Sequence, residues 1–533
     1  MTFIPLPSEL EIKNDIGNPV PTSNSNIDVA LSTRLKPADT LAGITTVGSL
    51  TSITNTVTVT GPLTDTQLRA TAVPISHANL DVALSTRLKP ADTLAGVTLV
   101  GAVTSITNSV AITNASLDVA LSTRTKPSDN QNIKLADTDQ LDAFGRLRIA
   151  EPYTLFDNQL EYDLNPLWFT GVITGVGASS THLPNESAVL MTVGTVSGEI
   201  VIRQTREYFK YQAGKSLLIN FTRVYGAAKT NVRKRCGYFD SHNGWFFEQT
   251  GTDFAVVQRT YTSGSVVDTG ANRIPQTAWN LDKLDGTGPS GITLDVTKNN
   301  LYIIDLQWLG TGRVRYGVFM NGAIIYCHQF NNSNILSTPE TTTANLPLRN
   351  EIENTGTAAS PTSLKVVCST IISEGGYEET KGIPQEASNE INTRSVGTAG
   401  VPVLSIRHKA TFNSIVNRVK ILLNHADLYI TSGDAYFEII LGGTIGGTPV
   451  WNSVGANSCM EFDVAGTTIT GGEIIASGFM SSTTGRTVEN VIESKLPIGL
   501  DLAGANPINV SVLCKAFTGT VNISSALAWL ELR

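Results

Sequence analysis

The sequence predicts a mainly β protein: a short repeat stalk of small helices and short strands, followed by two β-sandwich-like domains. Three observations carry this expectation. A near-exact internal repeat occupies the N-terminal part of the chain. Charged residues make up only 16% of the 533 residues, against roughly 25% in typical globular domains. Beyond residue 150, short apolar runs alternate with polar positions and are punctuated by Gly and Asn-Gly turns, which is the pattern of strands rather than of helices.

The repeat comes first. The segment Ile27-Asp-Val-Ala-Leu-Ser-Thr-Arg-Leu-Lys-Pro-Ala-Asp-Thr-Leu-Ala-Gly43 returns over 80–96 and, degraded, over 117–129. Aligned on Asp28, Asp81 and Asp118, the copies lie 53 and 37 residues apart, and the difference of 16 is the length of the insert 61–76. One 37-residue unit is therefore repeated, with one decorated copy. Within a unit, Ile27, Leu31 and Leu35 recur at helical spacing behind a possible cap at Ser25 or Asn26. Pro37 stops the helix, and Thr/Val/Ile runs such as 44–47, 56–60 and 97–103 read as brief strands.

A helix of about two turns does not hold alone in water. Repeats that cannot bury their own apolar face stack on neighbours, along the chain or across copies. The expectation for 25–130 is a parallel homotrimer, with a solenoid segment and a flexible, partly ordered stalk as the alternatives. Residues 1–24, with Pro5, Pro7, Pro19 and Pro21, read as an extended anchoring arm. The polar stretch 131–150, ending in Phe144-Gly-Arg-Leu-Arg-Ile149, closes the stalk section 25–150 as a connector.

Residues 151–377 read as a β-sandwich domain. Its clearest meander is 301–309, a Gly310-Thr-Gly312 turn, 313–320, an Asn321-Gly322 turn and 323–330; Asn-Gly favours the type I′ turn that matches strand twist. On the middle strand Val314, Tyr316, Val318 and Met320 share one face, and Arg313, Arg315, Gly317 and Phe319 the other. A second hairpin pairs 236–239 with 245–248 around His242-Asn-Gly244. Residues 378–400 are polar and read as a linker. The block 401–533 is a second, C-terminal β domain, with strands expected at 401–406, 415–423, 435–441, 473–479 and 526–532.

Composition excludes several classes of function. A formal charge of −8 spread over this length gives no basic footprint for nucleic acid. The N-terminus lacks a basic n-region followed by an apolar h-region, and no run approaches 18 apolar residues, so neither secretion nor membrane insertion is expected. The cysteines Cys236, Cys327, Cys368, Cys459 and Cys514 are odd in number and scattered, which suits neither a disulfide framework nor a zinc site. Cys327 and Cys368, each behind an apolar run, read as buried and unreactive.

The Leu-Asp-Val-Ala-Leu-Ser-Thr-Arg units, the insert Gly61-Pro-Leu-Thr-Asp-Thr-Gln-Leu-Arg-Ala70 with its Val73-Pro-Ile-Ser76 tail, Phe144-Gly-Arg-Leu-Arg148 followed by Thr154-Leu-Phe-Asp157, and Trp279-Asn-Leu-Asp-Lys-Leu-Asp-Gly-Thr-Gly-Pro-Ser-Gly291 resemble segments of tailed-bacteriophage virion structural proteins of the fibre, appendage and head-decoration type. The resemblance covers most of residues 1–410. It implies a modular protein with a virion-proximal N-terminus, located in the virion after assembly in the host bacterial cytoplasm. The implied partners are further copies of itself and other virion proteins of the capsid, the portal and neck, or the baseplate. It carries no catalytic residues.

Candidate chemistry is thin. Gly286-Thr-Gly-Pro-Ser-Gly291 matches G-x-G-x-x-G by letters only, because Pro289 and the missing strand-to-helix context spoil a phosphate-binding turn. Asp137, Asp139 and Asp142 offer hard oxygens but depart from a calcium-loop spacing, and no cofactor or metal is expected. Lys229, Arg233, Lys234 and Arg235 form a basic cluster that would suit an anionic glycan or a solvated face. The pairs Glu351/Glu353 and Asp282/Asp285 are the nearest approach to the two carboxylates of a glycosidase, and no Ser elbow or His-x-x-x-His is present.

Sugar stacking needs an exposed aromatic face beside polar groups. Trp451, behind the Gly442–Gly447 turn region, and the hairpin-tip group Trp245, His242 and Asn243 are therefore the candidate glycan contacts, with core packing of the alternate aromatics as the competing expectation. The reading is a non-enzymatic structural virion protein, a homotrimeric fibre or appendage anchored by its N-terminus. Its alternative is a receptor-binding tailspike gripping host polysaccharide, with or without glycanase activity.

Overall fold

The computed structural model describes residues 140–378, 381–483, 487–489 and 496–533. The arm, the repeats with their expected trimer, Asp137 and Asp139 lie outside these residues. Among the described residues the protein is built from antiparallel strands with three short 3₁₀ turns, and no helix is long and apolar enough to cross a membrane.

The strands form two consecutive β-sandwiches. In the first, an eight-stranded sheet runs Ala323–Asn331, Arg313–Met320, Asn300–Leu306, Ser216–Val224, Thr362–Glu374, Ala188–Val193 and Ser179–Leu183, with Tyr153–Asn158 also paired to Thr362–Glu374. It faces a seven-stranded sheet of Arg273–Pro275, Asp253–Arg259, Gly244–Gly251, Lys229–Phe239, Leu348–Asn354, Ile200–Thr205 and Phe169–Thr174. In the second, a five-stranded sheet of Ile383–Ser388, Val521–Leu532, Lys420–Ile430 and Thr487–Glu489, with Arg394–Val396 beside Val521–Leu532, faces a six-stranded one. The latter runs Asn452–Ser453, Met460–Asp463, Val401–His408, Asn509–Ala516, Asp434–Leu441 and Glu473–Ser481.

Period-two patterning selects the buried faces. Along Val521–Leu532, the side chains of Val521, Ile523, Leu527 and Trp529 enter the core while Asn522 is exposed. In the first sandwich Val314, Tyr316 and Val318 are fully buried and Met320 packs beside them, as the alternation requires. Each fully buried aromatic or aliphatic side chain contributes roughly 1.5–3 kcal/mol. The Asn321-Gly322 turn has φ of 53° and 83°, the left-handed pair that a type I′ turn demands.

Two expectations change. Residues 378–400 are not a plain linker: Ile383–Ser388 and Arg394–Val396 both pair with Val521–Leu532. Ile383–Ser388 lies at a sheet edge with mostly solvent-facing side chains, so its composition reads as polar. Cys368 is exposed, whereas the other four cysteines are buried. The ladder between Thr362–Glu374 and Ser216–Val224 slips between Val366 and Ser369, and this bulge turns Cys368 outward. On the second face of the middle strand, the Arg313 and Arg315 side chains are covered. Arg313 donates to the carbonyl of Ala143 at 3.0 Å, and Arg315 donates to that of Leu141 and to Asp305 Oδ2, both at 2.5 Å.

The cover is the connector. Asp142 accepts from the Arg146 backbone N–H (2.8 Å) and Nε (2.9 Å), closing a turn with Gly145 at φ +79°. The turn presents Arg148 to Asp305 at 2.5 Å, to the Tyr326 hydroxyl at 3.1 Å and to Glu374. Asp305 and Arg315 are wholly inaccessible. The Phe144–Arg148 motif is therefore a clamp on the sandwich, and Asp142 spends its carboxylate on that clamp.

Candidate recognition surfaces

At the hairpin tip, Asp240 Oδ1 accepts from the backbone N–H groups of His242 and Asn243, both at 2.8 Å, and Gly244 takes φ +130° where a Cβ would strike Phe239. His242 is exposed and meets Tyr261 edge-on, ring centroids 4.5 Å apart. Asn243 is buried: it donates to Thr342 Oγ1 (2.7 Å) and accepts from Thr342 N (3.0 Å). Trp245 points the other way. It is 0% exposed, stacks on Tyr238 and donates to Gln258 at 3.2 Å. Trp245 and Asn243 thus serve packing and loop closure, not a sugar face; alternation along Gly244–Gly251 sends Trp245 and Phe247 inward. Of this group only His242 meets solvent.

The charged clusters are tied down internally. Lys229 donates to the Ser360 and Pro361 carbonyls, each at 3.0 Å, Arg233 pairs with Glu353, and Arg235 pairs with Glu248 at 2.7 Å. Lys234 faces the core and donates to the Tyr225 carbonyl; burial, with Lys229 nearby, lowers its pKa to about 8. The basic quartet therefore does not form a free patch. Glu351 is held by Arg349 and Arg235; against the effect of burial, Glu248 and Glu351 hold the Arg235 pKa above its ordinary value, whereas burial and then Arg235 lower that of Arg259. Asp282 accepts from Leu284 N and Ser290 N, both at 2.8 Å, so the glycine-rich segment 286–291 is a loop wrapped on a buried carboxylate. Asp285 instead closes a turn on Thr287.

Trp451 is placed differently. Asp463, 1% exposed, accepts from Val450 N (2.6 Å), Ala465 N (3.0 Å) and Gly466 N (2.9 Å), which fixes the chain just before Trp451. The indole is half-buried and outside the core cluster. The Arg407 guanidinium lies 3.9 Å from its ring centroid and is held by Glu461 at 2.6 Å. Such a cation over a partly exposed indole is worth about 0.5–1 kcal/mol, which biases the ring toward this orientation. Val450, Asn452 and Ser453 beside it are exposed. Trp451 thus forms a fixed surface aromatic flanked by polar groups.

No family model matches the chain, and no curated protein matches it. Among solved structures, the CBM2 module of the evolved Dit of Lactobacillus casei BL23 phage J-1 aligns at 8% identity over 43% of this chain and 99% of that one, with a TM-score of 0.27. A protein of unknown function from Shewanella oneidensis MR-1 aligns at 7% identity over 51% and 100% of the chains, with a TM-score of 0.29. A glycosyl hydrolase family 16 protein of Mycobacterium smegmatis aligns at 9% identity over 41% and 100%, with a TM-score of 0.27. TM-scores of this size leave fold and function to be argued from the chain's own residues.

Sequence reasoning missed Arg407 and Glu461, although alternation along 401–408 already places Arg407 opposite the core residue Ile406. It also missed the cleft between the sandwiches, lined by Arg206, Tyr208, Arg418, Lys420 and Leu500. There Arg418 donates to the carbonyl of Asp501 at 2.8 Å and stacks over Tyr208 at 4.5 Å, and Lys420 pairs with Glu207 at 2.5 Å. This cleft is a joint whose charges hold the two sandwiches together.

Proposed function

We propose that the protein is a structural component of a tailed-phage particle, a homotrimeric fibre or appendage anchored through residues 1–24, and that it acts by binding rather than catalysis. The observation that supports this most is the connector clamp. The motif Phe144–Arg148, one of the segments resembling virion proteins, is bolted to the first sandwich through Arg148, Asp305 and Glu374, a fastening that suits a protein under mechanical load. The buried carboxylates of the described sheets are engaged in ion pairs and turns, which suits architecture.

Within that role, Trp451 is the proposed contact for host polysaccharide, since a preset aromatic face with polar neighbours loses little freedom on binding a sugar. The test is a particle carrying Trp451→Ala in the full-length chain. The variant protein is expected in purified particles at wild-type stoichiometry, with adsorption to host cells reduced. Absence of the wild-type protein from purified particles would reject the structural role, and unchanged adsorption would reject the Trp451 contact.

A further inference from the structure

A second aromatic group lies on the outer face of the six-stranded sheet in the second sandwich. Along Asp434–Leu441, Ala435, Phe437, Ile439 and Leu441 belong to the core, so period two turns Tyr436 outward, with Glu438 on the same face but covered to 7% exposure. Tyr436 sits opposite Phe479 on one side and Lys515 on the other. The Tyr436 and Phe479 centroids are 5.4 Å apart, and the Phe479 and Phe517 rings lie 6.0 Å apart with planes within 12°. Phe479 is 68% exposed and Phe517 54%. Both are anchored: Phe479 is in the ladder, and Phe517 N–H donates to the Asp434 carbonyl at 3.1 Å. Next to Phe479, a Cβ on Gly478 would come within 2.7 Å of the Phe437 ring, so the edge strand sits flat on the core.

Beside the rings is a charged pair. Lys515 Nζ lies 3.1 and 3.2 Å from the two Glu438 oxygens and 5.7 Å from the Tyr436 centroid, and exposed Ser477 stands opposite Glu438. This pair decides between occupants. A dry protein contact would have to strip the water from the Lys515 ammonium, whose side chain is 37% exposed while that of Glu438 is only 10% exposed, a desolvation cost that the existing pair does not repay. A saccharide replaces the lost water with hydroxyls that accept from Lys515 and bond the exposed Ser477 hydroxyl, while its C–H face covers the phenyl rings.

We propose that Tyr436, Phe479 and Phe517, with Lys515 and Glu438, form a binding platform for neutral polysaccharide, distinct in its residues from the Trp451 contact. The proposal rests on the reading of the chain as a recognition protein only for the source of the glycan, a cell surface. The full-length protein is titrated calorimetrically with maltohexaose, cellohexaose, laminarihexaose and dextran. At least one should bind, Phe479→Ala/Phe517→Ala should weaken it at least tenfold, and Trp451→Ala should leave that binding in place. Binding of none of the four, or undiminished binding by the double variant, overturns the platform. So does a double variant that loses self-association in sedimentation, because the rings would then be a contact between copies. Oligosaccharide binding by a protein missing from purified particles would uphold the platform and reject the virion role.

Discussion

Replacing Arg148 with alanine removes the group that fastens the connector to the first sandwich. The guanidinium donates to Asp305 at 2.5 Å, to the Tyr326 hydroxyl at 3.1 Å, to the Leu141 carbonyl at 3.1 Å and to Glu374, and its side chain is 18% exposed. Breaking a buried pair costs about 3–5 kcal/mol because it strands the partner charge. Here the loss is smaller on two grounds. Asp305 keeps Arg315 at 2.5 Å. Glu374, which burial and then Asp305 hold at about 7, answers by taking up a proton.

The expected cost is therefore about 3 kcal/mol at neutral pH, which at about 2–4 °C per kcal/mol for a domain of this size lowers the melting transition by roughly 6–12 °C. Calorimetry of the full chain reads the shift, and limited proteolysis should show new cleavage near 140–150. Arg148→Lys should recover only part of it, since an ammonium cannot serve these partners in the fork geometry. A melting temperature within about 2 °C of wild type, with the connector still protected, would refute the clamp.

Glu340 is 1% exposed and burial holds its carboxyl at about 8 against an ordinary 4.5. The folded state keeps a proton that the unfolded chain releases, so stability falls as pH rises from 4.5 to 8; Glu340→Gln should gain roughly 2–4 kcal/mol on wild type between pH 5 and 8 in denaturant titrations. His408 has the opposite sign: burial lowers it to about 4 from 6.5, so the folded state binds fewer protons and its contribution is lost as pH falls through that window, a loss that His408→Gln should remove from the acid limb. A thiol reagent on the native protein should label Cys368 alone within minutes, and labelling of Cys327 or Cys514 without denaturant would contradict the core assignment. Trp245→Ala should cost about 3–5 kcal/mol and Trp451→Ala less than about 1, a difference that thermal melts resolve directly.

The fold was legible where a local signal and the tertiary environment agree. The meander 300–331 is one instance: Asn321-Gly322 admits one turn type, and Val314, Tyr316 and Val318 fit one buried face. The signal failed where side chains of one pattern meet unequal surroundings. The Ile383–Ser388 strand looked like a linker because an edge strand leaves most of its side chains in water. Cys368 looked buried because the bulge after Val366 is invisible to period-two counting. The basic quartet looked like a patch because Glu353 and Glu248, its neutralising partners, come from other strands. At the candidate site, Trp451 was legible as an aromatic behind a glycine-rich turn, but Arg407 and Asp463, which set its orientation, reach it only through sheet pairing.

These misreadings share a consequence for how the molecule carries position along its length. Because Ile383–Ser388 and Arg394–Val396 already belong to the second sandwich, the stretch between Thr362–Glu374 and Ile383–Ser388 is short, and the cleft contacts of Arg418 with Tyr208 and of Lys420 with Glu207 bridge the two sandwiches. At the other end, Arg148 joins the connector to the strands Asn300–Leu306 and Thr362–Glu374. Thr362–Glu374 also leads directly into the short stretch before Ile383. A single strand thus meets the clamp and leads into the inter-sandwich joint. Loosening the Arg148 clamp should therefore disturb the first sandwich's outer face before it disturbs the Trp451 surface, which is tied to Asp463 and Arg407 within its own sheet.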